Sequence, residues 1–235
     1  MPPSFFQSDP TGVRVKVCGI TNAADAGIAA DAGADAIGIV LYPGSKRFVD
    51  LPSAASWLPE LMGRVVRVAL LVDPTYDEVR RVLDNPLIDA VQLHGDETPD
   101  FCALLAGHGK PVLKALRMRS REILASAATY PVTAVLLDAY VEKAYGGTGH
   151  TFPWQWVAGF RTPFILSGGL TPHNVRLAVH TAKPFAVDVS SGVETSPGRK
   201  DPALVRAFIA RAKEMPPQGM PQMEESDGCR VAGNG

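Results

Sequence analysis

The sequence predicts an α/β protein: a closed (β/α)8 barrel, the TIM architecture, with eight parallel strands ringed by helices. Three observations carry this. The chain has 235 residues, near the ~250 typical of such a barrel. Eight runs of β-branched and apolar residues recur along it, their starts 21 to 30 residues apart, the length of one strand, one loop and one helix. Between the runs lie helix-start signals rather than hairpin turns.

In order, the strand-like runs are VRVKVCG (13–19), AIGIVLY (36–42), VVRVALLV (65–72), AVQLHG (90–95), PVLKALRM (111–118), AVLLDAY (134–140), FILSGGL (164–170) and FAVDVSSG (185–192). Most are apolar without clean alternation, as parallel strands covered on both faces should be. Thr75 with Glu78 reads as a capping box. Thr98-Pro99, Thr171-Pro172 and Asp201-Pro202 each place a capping side chain before a proline at the first helical position. A doubly wound open sheet usually has fewer units and a glycine-rich turn after its first strand; here that strand ends in Cys18-Gly19-Ile20-Thr21. Residues 13–214 therefore read as one barrel domain. Residues 1–12, with three prolines and a glycine, read as a flexible N-terminus, and residues 215–235, rich in Pro, Gly and Met, as a disordered tail.

Composition narrows the function classes. Apolar residues make up 46% and charged residues 20%, enough for a large core and against disorder. With 23 basic and 24 acidic side chains the formal charge is −1, which supplies no electrostatic footprint for nucleic acid or an anionic membrane. Three cysteines (Cys18, Cys102, Cys229) are too few and too scattered for a disulfide framework or a zinc site. No apolar run reaches the ~20 residues of a membrane span, and the N-terminus lacks a signal-peptide pattern. The expectation is a soluble, cytoplasmic protein.

Barrel enzymes place their chemistry at the carboxyl ends of the strands, so polar groups there are the candidates. Ser167-Gly168-Gly169 closes strand seven and Ser190-Ser191-Gly192 closes strand eight. Either pair of glycine-containing loops could simply make tight turns. Together, at the two loops barrels most often use for phosphate, Gly168, Gly169, Ser190, Ser191 and Gly192 form a candidate anion site for a small phosphorylated molecule. Cys18 is either a small buried hydrophobe or a thiol activated beside Lys16; Cys102, on a helix, fits the first description. Asp138 ends an apolar run, where a carboxylate must be paired or poised as an acid. His94 is a packed histidine or a site residue. Arg47 is a solvated loop arginine or a guanidinium aimed at a carboxylate.

The segments KVCGIT (16–21), GADAIGIVLYPGSKRFV (33–49), VQLHGDE (91–97), LLDAYVEKAYGGTGHTFPW (136–154), FILSGGLTPHNV (164–175) and DVSSGVETSPGRKD (188–201) resemble the phosphoribosylanthranilate isomerase family of tryptophan biosynthesis. The resemblance runs from about residue 13 to 213 and touches nearly every strand end. It implies a cofactor-free Amadori rearrangement of N-(5-phospho-β-D-ribosyl)anthranilate to 1-(2-carboxyphenylamino)-1-deoxy-D-ribulose 5-phosphate. By resemblance Asp138 is the general acid at the ring oxygen and Cys18 the general base at C2. Arg47 pairs with the anthranilate carboxylate, and the two glycine-containing loops grip the phosphate. His94, Gly147 and Gly149 would line the site, with no metal. The loop GSKRF departs from relatives that carry a second proline and a tyrosine there. Two other readings stand beside this one. The related sugar-phosphate isomerase of histidine biosynthesis, or a dual-substrate version, uses an aspartate at the end of strand one, where this chain has Cys18. A non-catalytic phosphate-binding barrel leaves Cys18 and Asp138 without a task. Monomer and homodimer are both open.

Overall fold

Eight strands close into one all-parallel barrel in chain order, β1 to β8, with β8 returning to pair with β1. The computed structural model describes residues 4–6, 12–140 and 149–214. The strands are β1 (Arg14–Cys18), β2 (Ala36–Val40), β3 (Val66–Leu71), β4 (Ala90–Leu93), β5 (Val112–Met118), β6 (Ala134–Ala139), β7 (Phe164–Leu166) and β8 (Ala186–Val189). The helices are α1 (Ala23–Asp31), α2 (Leu51–Ala54), α3 (Tyr76–Leu83), α4 (Pro99–Leu105), α5 (Ile123–Ala127), α6 (Val175–Ala182) and α7 (Pro202–Lys213). A short antiparallel hairpin, β9 (Glu194–Ser196) and β10 (Arg199–Lys200), stands between β8 and α7. Among the described residues no helix is long and apolar enough to cross a membrane.

The period of two along each strand divides its side chains between two cores. One set, including Val15, Val17, Ile37, Ile39, Val91 and Leu93, packs with helix residues such as Ala26, Val79, Leu105 and Phe208. The alternate set, Ala36, Val66, Val68, Ala90, Leu113, Ala115, Ala134, Leu136, Ile165 and Ala186, packs inside the barrel. Many of these inner residues are alanines, which leaves room for the long inward side chains of Lys16 and Gln92, both 0% exposed.

Local capping chemistry starts most of the helices. Thr75 and Glu78 form the reciprocal box at α3, Thr98 accepts from Phe101 N–H ahead of Pro99 at α4, and Asp201 accepts from Ala203 and Leu204 N–H ahead of Pro202 at α7. Thr171 differs from expectation. Helix α6 begins at Val175, and Thr171 Oγ1 instead accepts from His173 N–H at 3.3 Å while Thr171 N–H donates to Asn174 Oδ1 at 2.8 Å. The Asn174 side chain also donates to Gly169 O at 2.9 Å, so this turn stays open to clamp the loop after β7. A second difference lies between β6 and β7. The described residues there form a 3-10 turn, Trp154–Val157, bracketed by Pro153 and Gly159, and Phe152 and Trp156 supply the apolar cover.

The N-terminal stretch also departs from the expected flexibility where it is described. Residues 4–6 form a 3-10 turn. Phe5 is 1% exposed, set edge-on to Phe6 and Phe185, and joins the inner barrel core. The alanine-lined interior leaves space at the amino-terminal end, and an aromatic ring fills it. Phe5→Ala should lower the unfolding free energy by about 3 kcal/mol, the scale for deleting a buried aromatic ring. Urea unfolding monitored by far-UV circular dichroism checks this, and an unchanged midpoint would mean the turn is not docked.

Candidate active site

The inward positions at the carboxyl ends of the strands converge on one open cleft of about 480 Å³. Its lining comes from β1 (Cys18), β2 and the following loop (Val40, Tyr42, Ser45, Arg47), β3 (Leu70, Val72), β4 (His94), β6 (Asp138), β7 (Ser167) and β8 (Asp188, Ser190). The contributions of β1, β4 and β8 follow the same pleat. Cys18 lies two residues beyond Lys16, His94 two beyond Gln92, and Ser190 two beyond Asp188, so a layer of polar side chains sits directly under the cleft.

That lower layer is paired. Lys16 and Asp188 face one another in the β1–β8 register, their Nζ and Oδ1 2.8 Å apart, with side-chain exposures of 0% and 5%. Burial pulls the Lys16 pKa down, but the attraction of the Asp188 carboxylate, with a further contribution from Cys18 when it is ionised, holds it above its ordinary value. Cys18 stands over this pair, and Gly38, its register partner on β2, makes the space: a Cβ at Gly38 would lie 2.7 Å from Cys18 Sγ and 3.1 Å from Lys16 Nζ. The expected activation of Cys18 by Lys16 is only half of what the structure contains. Burial pushes the thiol pKa up, Lys16 and Lys200 pull it down, Asp188 pushes it up again, and the outcome is a raised value. The thiol is therefore the resting form, because desolvation of a thiolate outweighs the neighbouring cations.

Across the cleft a buried chain links Gln92, His94 and Asp138. Gln92 Nε2 lies 2.8 Å from His94 Nδ1, and His94 Nε2 lies 3.1 Å from Asp138 Oδ2. Asp138 Oδ1 accepts from Ala139 N–H at 3.0 Å. Among the described residues the buried amide oxygen of Gln92 has no hydrogen-bond partner.

Arg47 lines the cleft with one edge of its guanidinium already engaged. Its Nε and Nη2 donate to the two carboxylate oxygens of Glu194 at 2.8 and 2.6 Å. Of the anion-loop candidates, Ser190 lines the cleft directly, beside Ser167. Gly168 and Gly169 adopt φ of 90° and 60°, and a Cβ at Gly192 would fall 1.9 Å from Leu170 O, so the loops after β7 and β8 are pressed together. Among the described residues the N–H groups of Gly168, Gly169, Ser191 and Gly192 donate to no backbone carbonyl, which leaves them for solvent or an anion. Gly149 is exposed at φ 80° and outside the cleft lining; Gly147 and Cys229 lie outside the described residues. Among the described residues no group of His, Cys, Asp or Glu side chains is placed to hold a metal. Cys102 is buried under α4, its pKa pushed up to about 11 by burial. Asp188, Gln92, Glu194 and Lys200 are the members of the site that local sequence patterns did not single out.

A family model described as N-(5'-phosphoribosyl)anthranilate (PRA) isomerase matches residues 15–211. The chain is 49% identical over 203 residues to N-(5'-phosphoribosyl)anthranilate isomerase of Geobacter sulfurreducens, covering 86% of this chain and 98% of that one. It is 50% identical over 200 residues to the protein of the same name from Pseudomonas aeruginosa, covering 84% and 93%. Among solved structures, phosphoribosyl anthranilate isomerase from Thermotoga maritima superposes with a TM-score of 0.79 at 39% identity, over 85% of this chain and 98% of that one. Another, phosphoribosyl anthranilate isomerase in complex with reduced 1-(o-carboxyphenylamino)-1-deoxyribulose 5-phosphate, superposes at 0.76 with 38% identity, over 85% and 98%.

The raised Cys18 pKa has a direct readout. Alkylation by iodoacetamide requires the thiolate, so its rate should climb with pH through a midpoint above that of an unhindered thiol. Mass spectrometry of the labelled peptide gives the rate at each pH. A midpoint below about 8, under the ordinary thiol value of ~8.5, would show that Lys16 outweighs burial.

Proposed function

Since the chain belongs to the N-(5'-phosphoribosyl)anthranilate isomerase family, we propose that it isomerises N-(5-phospho-β-D-ribosyl)anthranilate with Asp138 as general acid and Cys18 as general base. The observation that carries the reading is that these two side chains, from β6 and β1, line one cleft together with Arg47 and Ser190. An Amadori rearrangement needs one acid and one base acting on different atoms of a bound sugar, each worth roughly 10²–10⁴-fold. The substrate carries a phosphate at one end and a carboxylate at the other. The loops after β7 and β8 suit the first and Arg47 the second.

The chemistry follows from the environments. Asp138 gives a proton to the furanose ring oxygen as the anilino nitrogen pushes, and the ring opens to a protonated Schiff base. For Asp138 to hold that proton, His94 Nε2 must be its acceptor, and the imidazole proton then sits on Nδ1. With its amide turned over, Gln92 accepts a hydrogen bond from that Nδ1–H on its amide oxygen, the buried atom that has no partner among the described residues. The iminium cation formed beside Cys18 adds a positive charge to those of Lys16 and Lys200, and the thiol then releases its proton to solvent in the open cleft. The thiolate removes the C2 proton to give the neutral enolamine. Solvent supplies a proton to C1 and the enol proton passes to Asp138, which yields the ketone and leaves Asp138 protonated and Cys18 a thiol again. The acid step therefore precedes the base step, and a thiol with a raised pKa becomes a stronger base once ionised.

Cys18→Ser and Asp138→Asn should each lower kcat by at least about 10²-fold with melting temperature and ligand affinity near the parent's. The loss of substrate fluorescence in the presence of enzymatically generated phosphoribosylanthranilate gives the rate. Parent-like turnover by Cys18→Ser would remove the thiol from the mechanism. Arg47→Ala should weaken substrate binding by about 1.5–3 kcal/mol, the scale for a hydrogen bond to a charged group, and Arg47→Lys should restore only part, since an ammonium cannot make the forked contact.

A further inference from the structure

Arg47 is held by more than one contact. Glu194, whose side chain is 4% exposed, occupies its Nε and Nη2. Glu194 Oε1 also accepts from Lys200 Nζ at 2.7 Å and from Gly198 N–H at 3.4 Å. Lys200 has a side-chain exposure of 0%, and its Nζ donates in addition to Ser190 O at 3.1 Å. The β9–β10 hairpin that carries Glu194 and Lys200 is tied down in turn. Thr21 Oγ1 donates to Gly198 O at 2.7 Å, and Lys200 N–H donates to Asp25 Oδ2 at 2.9 Å. On the opposite side of the arginine, Gly19 at φ 75° has no side chain, and a Cβ there would lie 2.5 Å from Arg47 Cδ. The stem and one edge of the guanidinium are thus fixed.

We propose that Glu194, anchored by Lys200, is a positioning residue that aims Arg47, leaving the Nη1–Nη2 edge of the guanidinium as the receptor for the substrate's ring carboxylate. This rests on the reading of Arg47 as the carboxylate receptor. Charge supports it: Arg47 and Lys200 are two cations around the single anion Glu194, so the cluster retains the charge to hold one more anion. Glu194 stays in place when that anion arrives, because its departure would strand the fully buried Lys200 ammonium on one carbonyl. Lys200 also joins the two anion subsites, since it bonds Glu194 on the carboxylate side and Ser190 O on the phosphate side. The spacing between the two grips on the substrate is therefore set by one buried ion pair.

The test measures calorimetric Kd values for two ligands, the reduced product analogue with its ring carboxylate and the same compound without it. In the parent, the carboxylate should improve affinity by about 10- to 150-fold, the equivalent of a charged hydrogen bond. Glu194→Asp keeps the charge but is one methylene too short to reach Arg47 and Lys200 together. It should cut that ratio at least about fivefold while binding the decarboxylated ligand within about twofold of the parent. Lys200→Met, which removes the anchor and leaves the fork, should move the ratio in the same direction. A ratio unchanged in both variants would overturn the proposal, as would a rise in Glu194→Asp, which would mark Glu194 as a competitor for Arg47. Failure of the underlying reading shows separately: Arg47→Ala would then keep the parent's ratio, and the proposal would fall with it.

Discussion

A closed barrel gives its inward side chains no water, so every charge placed there must meet its counter-charge across the strands. The Lys16–Asp188 pair is where this chain meets that demand. Removing either partner of such a buried pair typically costs about 3–5 kcal/mol, because the other is left uncompensated. The two residues are register partners on β1 and β8, so the pair also locks the seam where the barrel closes. One pleat above it stand Cys18 and Ser190, the thiol and a hydroxyl at the mouth. The functional layer is thus set in height and direction by the ion pair beneath it.

The same constraint explains the character of the thiol. Lys16 is close enough to favour a thiolate, but its charge is already answered by Asp188, and burial dominates what remains. A site built this way keeps the thiol protonated until a cation appears beside it. In the proposed mechanism, ring opening creates that cation. On the opposite wall, the Gln92–His94–Asp138 chain offers an amide that can face the imidazole with either its NH2 or its oxygen, and so supports Asp138 with or without its proton. Cys18 and His94 each stand one pleat above a buried polar partner, Lys16 and Gln92.

Much of the fold was legible because it is written locally. Parallel strands covered on both faces read as uninterrupted apolar runs, and the caps at Thr75, Thr98 and Asp201 lie within three residues of the groups they satisfy. Thr171 was misread because its hydroxyl serves a turn that Asn174 clamps, a competition that local pattern does not decide. The burial of Phe5 leaves no mark in the sequence, because a ring docked under a barrel has no periodicity to announce it. In the site, Cys18, His94, Asp138 and Ser190 were visible as polar interruptions at the ends of apolar runs. Their partners were not. Lys16 and Asp188 are 172 residues apart and Arg47 and Glu194 147 apart, and such pairings depend on strand register and loop closure. The sequence leaves Arg47 as either a solvated arginine or a carboxylate receptor, and neither reading discloses that Glu194 already occupies its Nε–Nη2 fork.

In the proposed binding mode a single cleft presents Cys18 to C2 of the sugar while the loops after β7 and β8 hold the phosphate and Arg47 the carboxylate. A crystal structure of this chain with the reduced product analogue tests all three at once. Cys18 Sγ should lie within about 3.5 Å of C2, the distance of a reacting pair. The phosphate should lie on the N–H groups around Gly169 and Ser191, and the ring carboxylate on the outer edge of Arg47. A ligand bound in the reverse sense, or with C2 more than about 5 Å from Sγ and so beyond reach of direct proton transfer, would contradict that mode.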